Sequence, residues 1–368
     1  MIKRCLVMLV PLCLIISFLV SCNKTDYNNG YGANQNNSVG DLFVIKKNNM
    51  YGFIDINGNI VIKPKYKAVR KFSESLAAVF IDGLYGFINK EDELVIKPQF
   101  DEISDFNEGL ACIGMGKDHV HTKYGFIDVE GKIVIKPEYI YASDFSEDLS
   151  ACSTDKGTIG YINKSGKFEI KGDYKNIFPF KEGYAVIQHE SGKYGYIDKK
   201  GDIAIKSAFK SALGFSEGYA AVKTDSSLKW GLINKTGEFI LKPDFNGIFS
   251  YSEGMAGIGI DGEDKYTKYG FMNLDQKILL QPVYNYVGEF HEGLASVAIK
   301  SGESGNNEPI YKWGFINKEG EMIIKPQFEE VEEFHNGLAK VWIGDSKKHD
   351  SQFGYIDKTG KYIWKPSK

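Results

Sequence analysis

Hydrophobic positions along this chain come in short bursts. From Leu42 onward, apolar runs rich in Val, Ile, Phe and Tyr alternate with Gly, Asp, Asn and Pro. One set reads Leu76-Ala77-Ala78-Val79-Phe80-Ile81, then Asp82-Gly83, then Tyr85-Gly86-Phe87-Ile88-Asn89, a turn near Asp92, and Glu93-Leu94-Val95-Ile96. Short β-branched and aromatic runs bounded by turn formers predict strands joined in hairpins. No helical period appears after the N-terminal segment. The set then recurs around Gly52, Gly86, Gly125, Gly160, Gly195, Gly231, Gly270, Gly314 and Gly354, at steps of 34, 39, 35, 35, 36, 39, 44 and 40 residues. Such a period predicts a repeat architecture: an all-β tandem array of about nine three-stranded antiparallel β-meanders.

The polar positions carry the turn chemistry. Asx-x-x-Gly recurs, as in Asp55 to Gly58, Asp128 to Gly131 and Asn317 to Gly320. Asx side chains bond the backbone at a turn start, and Gly accepts the left-handed residue that ends it. Asp92 and Gln276 replace that Gly in two copies, so the turn at Asp275-Gln276 is expected to differ. Lys-Pro closes most third runs, at Pro64, Pro98, Pro137, Pro243, Pro282, Pro326 and Pro366, and is read as a stop to strand pairing. The following connections hold aromatics such as Phe72, Phe106, Phe145, Phe180, Phe215, Tyr251, Phe290 and Phe334, expected to join neighbouring units. A glycine inside a strand requires a bulge or a close neighbour, and one is expected at every signature Gly.

Taken together, these motifs resemble the WG (KWG) repeat, an aromatic-Gly-Phe-Ile-Asp phrase followed by Val-Ile-x-Pro and Phe-x-Glu-Gly-Leu-Ala. Trp230-Gly231 and Trp313-Gly314 carry the namesake pair, whereas Ile159-Gly160 loses the aromatic. The resemblance covers nearly all of residues 41 to 366 and implies an interaction module. It brings no catalytic residue. Both terminal units look complete, with no split unit to latch a ring. That favours an open, curved or superhelical array over the alternative, a propeller-like closed ring.

The N-terminus follows different rules. Lys3 and Arg4 precede an uncharged apolar stretch, and Leu19-Val20-Ser21 leads to Cys22. This resembles a bacterial lipoprotein signal and lipobox, so residues 1–21 are expected to be a signal peptide. The resemblance implies a diacylglycerol on Cys22. Residues 22–40, rich in Asn and Gly, are expected to form a disordered tether, and 41–368 the repeat domain. Asn23 in place of Asp favours an outer-membrane or surface location within an extracytoplasmic, lipid-anchored envelope protein.

Charge and chemistry narrow the reading. The chain has 45 basic and 48 acidic residues, net −3; removing Lys3 and Arg4 leaves −5 (−3 − 2). That balance argues against nucleic acid as a partner. Cys112 and Cys152 sit one register step apart in equivalent runs and read as small buried apolar residues rather than a disulfide. His119 and His121 lack further ligands at a metal-binding spacing, and Asp55-Ile56-Asn57-Gly58 lacks the Glu of a calcium loop. No metal, cofactor or catalytic residue is therefore expected. Extra residues enter mainly at the first hairpin, between 114 and 123, 261 and 268, 300 and 312, and 344 and 352. Insertions at one structural position share one face, often the binding face. The expectation is a monomeric, non-catalytic scaffold that binds a protein or cell-wall glycan on these loops, with Trp342 nearby. The alternative is an envelope hydrolase with its site in the concave face.

Overall fold

The computed structural model describes residues 41–116, 121–262, 266–305, 307–344 and 352–366. Every regular element among them is a strand, β1 to β35 in chain order, grouped into nine antiparallel sheets. Sheet 1 holds β1–β3 (43–66). Sheets 2 to 9 hold four strands each: β4–β7 (69–100), β8–β11 (102–139), β12–β15 (141–171), β16–β19 (174–209), β20–β23 (211–245), β24–β27 (247–284), β28–β31 (286–328) and β32–β35 (330–364).

The first strand of each four-stranded sheet comes from the segment that the sequence reading treats as a connection. Its aromatic lies on the preceding sheet. Phe72 of sheet 2 meets Phe53 of sheet 1, and the pattern continues with Phe87–Phe106, Phe126–Phe145, Tyr161–Phe180, Tyr196–Phe215, Phe271–Phe290 and Phe315–Phe334. All these rings stand 4.8–4.9 Å apart. Between sheets 6 and 7, Leu232 and Tyr251 share one core. Each core therefore lies between two sheets. Cys112 and Cys152 share the core between sheets 3 and 4, both buried and neither in a disulfide. One register step on equivalent strands turns them towards the same interface. Burial pushes the Cys152 thiol up to about 12, only partly offset by Ser150, so it remains an unreactive apolar filler.

The array closes. Ile45, Ile54, Leu338 and Tyr355 form one core between sheets 1 and 9, flanked by Phe43, Phe353, Ile363 and Trp364. The Tyr355 hydroxyl donates to the Val44 carbonyl at 2.9 Å. The open array favoured above is thus corrected to its alternative, the closed ring. The latch is not a shared strand, which is why both ends look complete in the sequence. It is one substitution of size. Opposite Ile54 on β1 (Phe43–Lys47) stands Phe43, where the eight other sheets carry Ala77, Ala111, Ser150, Ala185, Ala220, Ala256, Ala295 and Ala339. In those sheets the small residue leaves room for the first-strand aromatic. Sheet 1 has no first strand among the described residues, and Phe43 itself reaches Tyr355, 5.4 Å away and 63° inclined. That inclination repeats the edge-on contact of the other seams.

The signature glycines and Lys-Pro turn out to be two halves of one device. In sheet 1, Tyr51 pairs with Tyr66 and Phe53 with Ile62, so β3 (Ile60–Tyr66) carries two extra residues opposite Gly52. A Cβ on Gly52 would meet the Ile62 carbonyl oxygen at 2.4 Å and the Pro64 nitrogen at 2.6 Å. The proline therefore does not end the strand. It occupies a bulge, where its missing N–H costs no pairing, and the strand continues to Tyr66. These third strands are sheet edges, and their exposed lysines oppose edge-to-edge association. The turn at Gln276 also departs from expectation. Gln276 takes φ +59° and donates to the Asn273 carbonyl at 3.0 Å, as Gly58 does to Asp55.

Strand alternation places the Glu-Gly turns and the Asx turns at one end of the ring. There the carboxylates form a relay. Glu74 accepts the Gly109 N–H, Glu108 those of Glu147 and Asp148, Glu147 that of Gly183, and Glu182 that of Gly218. Glu217, Glu253 and Glu292 repeat the bond to Gly254, Gly293 and Gly337. Lys164, Lys235, Lys318 and Lys358 of the Asx turns pair with Glu108, Glu182, Glu253 and Glu292. Burial opposes the Glu253 charge, but the Gly293 N–H and Lys318 outweigh it and hold its carboxyl below the usual range. A depressed carboxyl contributes stability above its unfolded value that is lost as pH falls through the folded one. Glu253→Gln should therefore lower the melting temperature at pH 7, with the gap to the parent narrowing below about pH 4.3. A gap independent of pH excludes the relay as its source. Phe43→Ala should cost about 2–3 kcal/mol in chemical denaturation, against under about 1 kcal/mol for the exposed control Phe239→Ala. Equal losses would show that Phe43 does not latch the ring.

Candidate functional site

The opposite end carries the first hairpins and the links between sheets, and here the units differ. Insertions 114–123 and 261–268 lie partly, and 344–352 mostly, outside the described residues. The insertion at 300–312 extends a hairpin, with β29 running from Leu294 to Glu303 and β30 from Pro309 to Asn317. On this end, sheets 7 and 8 present a continuous run of rings. Phe249 packs on Tyr269 at 5.7 Å; Tyr269 and Tyr286 lie 6.3 Å apart and 20° from parallel; Tyr286 and Trp313 lie 6.3 Å apart and 26° from parallel. Tyr311 meets Tyr286 edge-on at 5.0 Å.

Local sequence explains the run. Gly247 pairs with Gly259 across β24 (Gly247–Ser252) and β25 (Met255–Asp261), and a Cβ on either would touch the Tyr269 ring, at 3.3 and 2.7 Å. These two facing glycines leave the space that the ring fills. Tyr286 stands where sheets 3, 6 and 9 carry the polar Glu102, Ser211 and Glu330, and sheet 4 carries another ring, Tyr141. Tyr286 is 46% exposed and Tyr266 68%. Farther round, Lys340 sits over Trp342 at 4.7 Å and over Phe353 at 4.5 Å, so Trp342 already has a cation on its face.

A second group of residues went unnoticed in the sequence. The first strands are bulged: Val69 pairs with Val79 and Phe72 with Ala77, leaving Arg70 and Lys71 between. Bulges re-aim side chains, and here they bring charges from distant sheets together at the ring centre. Arg70 Nε donates to Asp105 Oδ1 at 2.6 Å. Burial raises the Asp144 carboxyl above its usual range, Asp105 adds to this, and Ser104 and Arg70 oppose it. Asp144 is exposed to solvent, and the charges that act on it come from sheets 2 and 3. Glu289 in sheet 8 is raised by burial first and by Glu333 of sheet 9 next, against Lys181 of sheet 5. His335 is held below the usual imidazole range by burial, then by His291 and Lys71, against Glu333 and Glu292. A raised carboxyl holds its proton more readily than an ordinary one, which suits it to donate a hydrogen bond or a proton. The sequence signal was the charged residue before the recurring Phe, hidden because that segment was taken for a connection.

The structure leaves the other sequence candidates apart from these two groups. The nine signature glycines serve the bulges, and Asp55 Oδ1 accepts the Asn57 and Asn59 N–H groups as turn chemistry. His121 is exposed, and His119 lies outside the described residues, as do Leu19, Val20, Ser21 and Cys22. Among the described residues no group of three or more His, Cys, Asp or Glu side chains could hold a metal ion, and no helix is long and apolar enough to cross a membrane.

Nine radial sheets closed into a ring define a β-propeller architecture. Eight segments, 51–85, 85–117, 124–153, 159–194, 194–226, 230–263, 269–301 and 313–345, match the family described as WG containing repeat, and the chain belongs to that family. No curated protein matches its sequence. Among solved structures, the crystal structure of a eukaryotic initiation factor is similar over 90% of this chain and 96% of its own, with TM-score 0.63 at 12% identity. BamB from Moraxella catarrhalis covers 75% of this chain and 96% of its own, with TM-score 0.40 at 12% identity. The β-propeller domain of the Trilobed protease from Pyrococcus furiosus covers 73% and 99%, with TM-score 0.41 at 12% identity. The first of these supports the ring fold and nothing about activity.

The ring centre yields a pH prediction. An acid whose folded value lies above its unfolded one destabilises the fold wherever it is ionised, and that penalty disappears as it protonates. Asp144→Asn should raise the melting temperature at pH 7.5, and the advantage should shrink as pH approaches 4. A variant less stable than the parent at pH 7.5 would mean that pairing with Arg70 outweighs burial.

Proposed function

We propose that this is a non-catalytic, lipid-anchored protein of the bacterial cell envelope, whose ring serves as a scaffold binding a protein or cell-wall glycan on its first-hairpin end. The observation that carries this reading is the aromatic run of sheets 7 and 8, which reaches solvent at Tyr286 and Phe249. Tyr and Trp are enriched at binding hot spots because they supply contact area with few rotatable bonds. The run lies where loop lengths vary, while the opposite end is occupied by the carboxylate relay. Cys22 supplies the anchor through its lipid, residues 23–40 the reach, and Asn23 favours an outer or surface position. The working form is a monomer with no affinity for nucleic acid, consistent with its mixed, slightly acidic charge.

A second reading has its own observation. The raised Asp144 and Glu289 carboxyls at the ring centre are what a hydrolase would need in a general acid.

Two measurements test the main reading. Cys22→Ser should move the protein from membrane to soluble fractions and abolish lipid labelling; unchanged membrane retention refutes the anchor. Shortening the 300–312 hairpin to a two-residue turn should remove retention on purified native envelope while leaving the melting temperature unaltered. Retention that survives this deletion assigns binding elsewhere.

A further inference from the structure

We propose that the aromatic run Phe249–Tyr269–Tyr286–Trp313 is a carbohydrate platform that takes a linear chain of pyranose sugars. The inference rests on the binding reading above and adds the class of ligand.

The first argument is ring geometry. Tyr269, Tyr286 and Trp313 are inclined by only 20° and 26°, yet their centres are 6.3 Å apart. Rings so nearly parallel, with centres 6.3 Å apart, are offset from one another rather than superposed. Tyr286 and Phe249 are the exposed members, at 46% and 37%, whereas Tyr269 and Trp313 are half-buried against the cores beneath them. The C–H face of a pyranose is flat and weakly positive at its hydrogens, which suits the negative face of an aromatic ring. A row of offset rings suits a row of linked sugars. A proline-rich helix, the other ligand of aromatic surfaces, wedges its ridges into grooves between such rings.

The second argument is the rim. A sugar's hydroxyls need donors and acceptors beside the ring, and both ends of the platform supply them. Next to Tyr269, Lys229 Nζ donates to Asp261 at 2.7 Å, Asn246 Nδ2 donates to Thr267 Oγ1 at 3.1 Å, and Asn246 bridges Lys229 and Asp261. Gly247, which follows Asn246, touches the Tyr269 ring, as does Gly259, which Thr267 also approaches. At the far end, Lys300 pairs with Glu303 on the extended hairpin, close to Tyr311 and Tyr266. The amide, carboxylate and ammonium groups have spare hydrogen-bonding capacity at the aromatic edge.

The test is calorimetric titration of the full-length chain in detergent with soluble linear oligosaccharides of glucose, N-acetylglucosamine, galactose and mannose, beside poly-L-proline. The expected result is saturable binding of at least one sugar series. Tyr286→Ala should weaken it at least about tenfold with an unchanged melting temperature, and the exposed neighbour Leu228→Ala should leave it intact. No binding across the sugar panel, or binding indifferent to Tyr286→Ala, overturns the proposal. Poly-L-proline binding that depends on Tyr286, without sugar binding, overturns the saccharide class while the scaffold reading stands. Retention on native envelope lost with the 300–312 hairpin, but no sugar binding, separates the two failures in the same way.

Discussion

Everything in this ring depends on the contact between one sheet and the next. A single three- or four-stranded meander cannot bury a core of its own. An aromatic on or just after each first strand therefore reaches back to a ring in the middle of the preceding sheet, or to Leu232 in sheet 6, and the ring spacing hardly varies. A nearby Ala or Ser makes room for it. Because every core is shared, the sheets stabilise each other in sequence, and a free face at either end would leave a core half built. Closure meets that demand. Phe43 does with one side chain what the missing first strand does elsewhere.

Around that constraint the molecule divides its two ends. One end is fixed by hydrogen bonds that pass from sheet to sheet, carboxylate to amide, with lysines alongside. Its residues recur because the geometry recurs. The other end is released from the repeat, and there the hairpins lengthen, rings gather on sheets 7 and 8, and polar groups line their edge. At the centre, bulges turn charged residues inward from many sheets. Recurrent positions thus build the frame, and the non-recurrent ones distinguish this ring from another of its family.

Much of the frame could be read in advance. The strands, the Asx turns and the role of the aromatics follow from local patterns that each unit states again. Besides the open array, three readings failed, each for a nonlocal reason. The first strand looked like a connection because it is short, and in several sheets only two residues pair before the bulge. Lys-Pro looked like a stop because its partner, the facing glycine, lies elsewhere in the sequence. Gln276 looked unfit for a left-handed turn, yet the hairpin around it imposes the conformation. The candidate sites were legible only in part. Loop lengths pointed to the end where the aromatic run lies, but the placement of those rings needs Gly247 and Gly259 opposite each other, and the charges at the centre are brought together by the ring alone.

The sequence by itself determined the nine units, three strands of each and most of their turns, because those depend on residues a few positions apart. Tertiary structure decided whether the array stays open or closes. That choice turns on Phe43 meeting Tyr355 at the far end of the chain, and on eight counterparts of Phe43 that are small. No local pattern records a contact between the first strand and the last sheet. Only the summed curvature of nine seams brings the two together.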